Sequence, residues 1–148
     1  MSPLATGRFQ IGTWDEKPLE DPEGGPKLAR ASVAETFTGD LEGEARVEYL
    51  LAYGGPDAAQ FTGFSPVAGR LAGRTGTFVL QRAGVYAAGA AMATWNVVPG
   101  SGRGGLQGLR GEGAFVAAHR DQPVEWAGRS WEPTPHGIAA FTLDYDFD

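Results

Sequence analysis

Leu28-Ala29-Arg30-Ala31-Ser32-Val33-Ala34-Glu35-Thr36-Phe37-Thr38 is the stretch that decides the fold class. Arg30, Ser32 and Thr36 alternate with Ala29, Ala31, Val33 and Phe37, and a period of two marks a strand with one face buried and the other wet. The same alternation puts Glu35 on the apolar side. A carboxylate desolvated among apolar side chains is suited to general acid or base chemistry, so Glu35 is the leading catalytic candidate.

Working outward, similar runs recur along the chain. The run before it, about Gly7 to Trp14, puts Phe9, Ile11 and Thr13 on one face, and an acidic Pro/Gly-rich loop is expected from Asp15 to Pro26. After the turn at Gly39 to Gly43, Val47, Tyr49, Leu51 and Tyr53 oppose Arg46 and Glu48 in a third run. Gly54-Gly55-Pro56-Asp57 is turn chemistry. The fourth run, Ala58 to Gly73, is interrupted by Pro66, which predicts an edge or a bulge. The fifth is Thr77 to Arg82, followed by a connection from Gly84 to Gly89. The sixth is Ala90 to Val98, the seventh Gly113 to His119 and the eighth Gly137 to Phe147. Short connections favour antiparallel neighbours. The expected fold is all-β: an eight-stranded antiparallel β-barrel, with a β-sandwich as the alternative.

Composition sets bounds. A chain of 148 residues suits one domain, taken as residues 1–148. With no cysteine, neither a disulfide nor a thiolate metal site is possible, and no metal or other cofactor is expected. A net charge of −6 with scattered Lys and Arg argues against nucleic acid as a partner. No run of about 18 apolar residues suggests a membrane span, and the N-terminus does not read as a secretory leader, so a cytoplasmic location is expected.

Among the motifs, Gly100, Gly102 and Gly105 match G-x-G-x-x-G literally. That fingerprint needs a long helix directly after it, and Gly108, Gly111 and Gly113 leave no room for one, so dinucleotide binding is set aside. His119 and His136 flank a long loop, Arg120 to His136, and could meet at its base, but two histidines without a third ligand make a poor zinc site. That loop carries Trp126, Trp131 and three prolines, and is either a lid over one barrel mouth or an excursion packed on the exterior.

If the odd-numbered face points inward throughout, Tyr49, Tyr53, Gln81, Trp95 and Tyr145 join Glu35 in lining the lumen. Glu35 and Tyr49 are then the expected catalytic pair, and Tyr53, Gln81, Trp95 and Tyr145 the expected ligand-binding residues around a small apolar molecule. Three functions fit: an isomerase or cyclase, a non-catalytic carrier of a small hydrophobic ligand, and a homo-oligomeric interaction module with a filled lumen. Runs apolar on both faces, notably Ala90 to Val98 and Ile138 to Phe147, predict a homo-oligomer, dimer or trimer.

A family resemblance rests on Gly12-Thr13-Trp14-Asp15-Glu16, Ala31-Ser32-Val33, Thr38-Gly39-Asp40-Leu41-Glu42-Gly43-Glu44, Phe78-Val79-Leu80-Gln81, Val97-Val98-Pro99-Gly100-Ser101-Gly102, Gly108-Leu109-Arg110-Gly111-Glu112-Gly113 and Leu143-Asp144-Tyr145-Asp146-Phe147. In this order, over nearly the whole chain, these segments resemble the bacterial domain-of-unknown-function family 3224. The resemblance implies the barrel of allene oxide cyclase, similar also to dirigent proteins and spirotetronate cyclases. Those proteins guide reactive, largely apolar substrates by enclosure and orientation. No catalytic residue carries over from it.

Overall fold

The computed structural model describes residues 2–148, and every regular element among them is a strand. In chain order these are β1 (Leu4–Glu20), β2 (Lys27–Gly39), β3 (Leu41–Gly55), β4 (Ala58–Leu71), β5 (Arg74–Ala87), β6 (Ala90–Val97), β7 (Arg103–Gly104), β8 (Leu109–Ala118), β9 (Val124–Trp126), β10 (Arg129–Trp131) and β11 (Ile138–Phe147). Eight form the wall, each antiparallel to the next in the order β1-β2-β3-β4-β5-β6-β8-β11, and β11 pairs back onto β1. The ring is therefore a closed barrel and not a sandwich, and closure leaves no open edge. No helix among the described residues is long and apolar enough to cross a membrane.

Turn length decides which residues face inward. Leu71 pairs with Arg74 and Ala87 with Ala90, so β5 is bracketed by two-residue turns, Ala72-Gly73 and Ala88-Gly89. Both residues of each turn have positive φ (54° and 75°; 52° and 79°), the geometry that matches hairpin twist. A two-residue turn reverses the parity of the inward face. Apart from β1 beyond its bulge, lumen residues are odd-numbered on the other wall strands (Val33, Val47, Val67, Trp95, Phe115, Phe141) but even-numbered on β5, where Phe78, Leu80 and Arg82 point in. Gln81 consequently faces solvent, contrary to the uniform odd-numbered expectation.

Four other expectations are corrected. The loop placed at Asp15 to Pro26 is much shorter, because β1 continues to Glu20 along β2. A bulge between Ile11 and Trp14 inserts one residue, so Trp14 and not Thr13 continues the inward face. Pro66 breaks nothing: β4 passes from Val67 opposite Ala45 to Phe64 opposite Glu48 without a change of register. The segment Gly84 to Ala87, expected as a connection, is the end of β5.

The region Arg120 to His136 is an exterior feature and not a lid. Its β9–β10 hairpin lays Val124 and Trp131 against Ala90, Ala114, Val116 and Ala118, on the outward face of β6 and β8. The Trp126 indole N–H donates to the Ala93 carbonyl at 2.9 Å, and that of Trp131 to the Trp126 carbonyl at 2.9 Å. Part of the outer apolar surface that suggested a second subunit is thus covered by the chain itself. Trp131→Ala should cost about 3 kcal/mol or more by denaturant unfolding while leaving ligand access to the lumen unchanged. A gain in lumen access with little loss of stability would restore the lid.

Candidate functional site

One end of the barrel is packed solid. Phe37, Leu41, Leu71, Phe78, Leu80, Phe141 and Leu143 fill it, and the glycine-rich 99–108 segment folds over it with Leu106 fully buried in the same cluster. That segment leads into β8 and not into a helix, as expected from its glycines. At the other end lies a cavity of about 320 Å³, near the lower bound of small-molecule pockets. Phe9, Ile11, Leu51, Phe61, Phe115, Ala117 and Ala139 supply apolar wall, Glu35 and Tyr49 also line it, and Trp14, Tyr53, Tyr86 and His119 complete the lining.

Arg82, fully buried, lies at the inner end of this site. Its Nη2 and Nη1 donate to the two Glu35 carboxylate oxygens at 2.7 and 3.0 Å, Nη1 also donates to the Tyr49 hydroxyl at 3.2 Å, and Nε to Ser65 Oγ at 3.0 Å. The rings of Trp95, Phe115, Phe9 and Tyr49 surround the guanidinium carbon with centroids 5.2 to 6.0 Å away, within cation–π range. A cross-strand row explains how this fits: along Ala31, Tyr49, Gly63, Arg82, Trp95, Gly113 and Leu143, small residues flank Tyr49 on one side and the Arg82–Trp95 pair on the other, with Gly63 between them. Gly63 stands between Tyr49 and Arg82. A Cβ there would collide with the Glu48 carbonyl oxygen, and its absence leaves the gap across which side chains two strands apart can meet.

Electrostatics follow from burial. Desolvation pushes the Tyr49 phenol up to about 12, against the lowering effect of Arg82. Burial disfavours the charge on Arg82, but Glu35 and Tyr49 more than offset it and hold the guanidinium above its ordinary value. At the mouth, the Tyr53 hydroxyl donates to Glu16 at 2.7 Å and the Trp14 indole to the same carboxylate at 3.0 Å. Partial burial and Glu16 together raise Tyr53 to about 12. His119 and His136 do meet, with ring centroids 5.0 Å apart, and both are exposed. Among the described residues no group of three or more His, Cys, Asp or Glu is placed to hold a metal.

The expected site residues therefore separate. Glu35 and Tyr49 come together, and Tyr53 joins the cavity lining. Trp95 points inward but belongs to the packed core, near Phe37 and Phe141. Gln81 is outside, and Tyr145 lies away from the cavity, against Phe147. The residue that sequence reading missed is Arg82, whose signal was the pair of two-residue turns that invert β5. Trp14 was missed for a related reason, the bulge before it.

These features define a class: a closed eight-stranded antiparallel barrel with an apolar cavity above a buried ion pair. The chain belongs to the family described as protein of unknown function (DUF3224), which matches residues 5–126. It is similar to a crystal structure of a protein of unknown function from the same family, from Shewanella oneidensis MR-1. The two are 28% identical, with 100% of this chain and 98% of that chain covered and a TM-score of 0.72. No curated protein matches.

Removing one partner of the buried pair leaves the other charge stranded. Arg82→Met should destabilise by about 3–5 kcal/mol, and adding Glu35→Leu should recover much of that loss; additive losses in denaturant unfolding would contradict a coupled pair. Alkaline pH gives a separate test. Below pH 10, the ordinary tyrosine value, Tyr49 is protonated in both folded and unfolded chains, so its contribution is complete. Between there and its folded value of about 12 the unfolded chain ionises first, and stability should fall as pH rises. The Tyr49 share is about 2–3 kcal/mol, and Tyr49→Phe should flatten that part of the curve.

Proposed function

We propose that the barrel binds a small, predominantly apolar molecule in this cavity and acts on it as an isomerase or cyclase, by holding it in one reactive conformation. The observation that supports this is the cavity itself: aromatic and aliphatic walls with Tyr49 and Glu35 among them. Confinement of that kind lowers the entropic part of a unimolecular barrier, in keeping with the enclosure practised by the allene oxide cyclase-like barrels that the sequence resembles. Within this reading Tyr49 meets the substrate, while Glu35 acts through Arg82 as a positioning residue, since both its oxygens accept from the guanidinium.

That engagement of Glu35 also favours a second reading, a carrier without turnover, because it ties up the carboxylate that would serve as a base. The interaction-module reading needs a filled lumen, which the cavity opposes. Cytosolic residence and homo-oligomerisation remain part of the proposal; Leu50 and Phe64, exposed on the outer face of β3 and β4, are apolar surface that a second copy could cover.

A panel of small apolar and polyene ligands should give saturable changes in tryptophan fluorescence, through Trp14 in the cavity lining, and raise the melting temperature. At a hundredfold excess over Kd the stabilisation should reach about 2.7 kcal/mol. Absence of any shift across the panel would remove the ligand-binding reading. Conversion of a bound ligand to a product of unchanged mass selects the enzyme, and unchanged ligand after prolonged incubation selects the carrier.

A further inference from the structure

Tyr49 lines the cavity at 6% exposure, and its hydroxyl oxygen accepts a hydrogen bond from Arg82. A phenol has a proton to donate as well as lone pairs to accept with. Among the described residues the hydroxyl makes no hydrogen bond except the one it accepts from Arg82, and the neighbouring Glu35 oxygens both receive guanidinium protons instead. Buried donors are rarely left without an acceptor. We propose that the cavity is built for a neutral ligand bearing one acceptor oxygen, a ketone, enone or quinone carbonyl, which the Tyr49 hydroxyl holds. This inference rests on the ligand-binding reading above and adds the chemical class of the ligand.

Three features restrict the class. The phenol stays protonated throughout the ordinary pH range, since burial lifts it to about 12. The guanidinium bonded to its oxygen withdraws electron density and strengthens its own donation, as in any hydrogen-bonded chain. Arg82 itself has little left to offer: Nε–H, both Nη1 hydrogens and one on Nη2 are directed at Ser65, Glu35 and Tyr49. A carboxylate ligand would therefore be desolvated facing the Glu35 anion, with the nearest cation already neutralised. A carbonyl held by Tyr49 is polarised at carbon, and negative charge developing on its oxygen is stabilised in place.

Three naphthalenes substituted at the same ring position separate these cases: acetylnaphthalene (a neutral acceptor), isopropylnaphthalene (the same shape without an acceptor) and naphthoate (an anion). Wild type should bind the first two and discriminate against naphthoate. Tyr49→Phe should weaken acetylnaphthalene about fivefold to tenfold, the worth of one hydrogen bond, and leave isopropylnaphthalene within twofold. The ketone band of carbonyl-labelled acetylnaphthalene should also move to lower frequency on wild-type protein than in hydrocarbon solvent, a readout that needs no variant to fold. Equal weakening of both neutral probes, an unshifted ketone band or a preference for naphthoate would overturn the inference while leaving the cavity reading intact. Failure of both neutral probes to bind wild type would overturn both.

Discussion

The ion pair between Arg82 and Glu35 is the constraint around which the barrel is organised. Side chains 0% and 1% exposed carry opposite charges inside an apolar lumen, and two charges out of water are tolerated only when geometry and hydrogen bonding offset their desolvation. Here the hydrogen-bonded offset comes from three strands. Glu35 on β2 meets the guanidinium fork-to-fork, Tyr49 on β3 and Ser65 on β4 take the remaining directed protons, and aromatic faces close around it. A slip of β5 by one residue would expel Arg82, bring Gln81 inside and strand Glu35, so the pair also specifies register.

The same layer divides the interior. On one side Phe37, Phe78, Phe141 and Leu106 leave a dense core closed over by the glycine-rich segment. On the other the lining thins to Ala59, Ala91, Ala117 and Ala139 between larger rings, and the cavity is what those small side chains leave open. Glycine does related work within the wall, where Gly63 lets Tyr49 and Arg82 meet across an intervening strand. The large tryptophan-bearing hairpin takes no part in this interior, and its role is to shield the alanine-rich outer face of β6 and β8.

Much of this arrangement is legible in the sequence. Period-two alternation from Leu28 to Thr38 and at Val47 to Tyr53 identifies the strands, their short connections identify antiparallel neighbours, and Glu35 stands out as a carboxylate on an apolar face. The lumen face is legible strand by strand but cannot be carried from one strand to the next without turn lengths. Ala72-Gly73 and Ala88-Gly89 are not the Asn-Gly or Asp-Gly pairs that announce two-residue hairpins, so the inversion of β5 is hidden, and Arg82 with it. Trp14 is hidden by a bulge that no proline or charge marks. Apolarity on both faces of β6 is visible, whereas what covers the outer face depends on a contact made from more than thirty residues away, by Trp126 on Ala93.

An apolar cavity of about 320 Å³ directly above an intact Arg82–Glu35 pair is what every functional reading of the lumen requires. Anomalous diffraction from crystals soaked with a bromonaphthalene tests it most directly. Bromine density is expected between Phe61, Tyr49 and Phe115, with the guanidinium still joined to both Glu35 oxygens. Bromine found only on the outer surface, or Arg82 turned into the space assigned to the ligand, would contradict it.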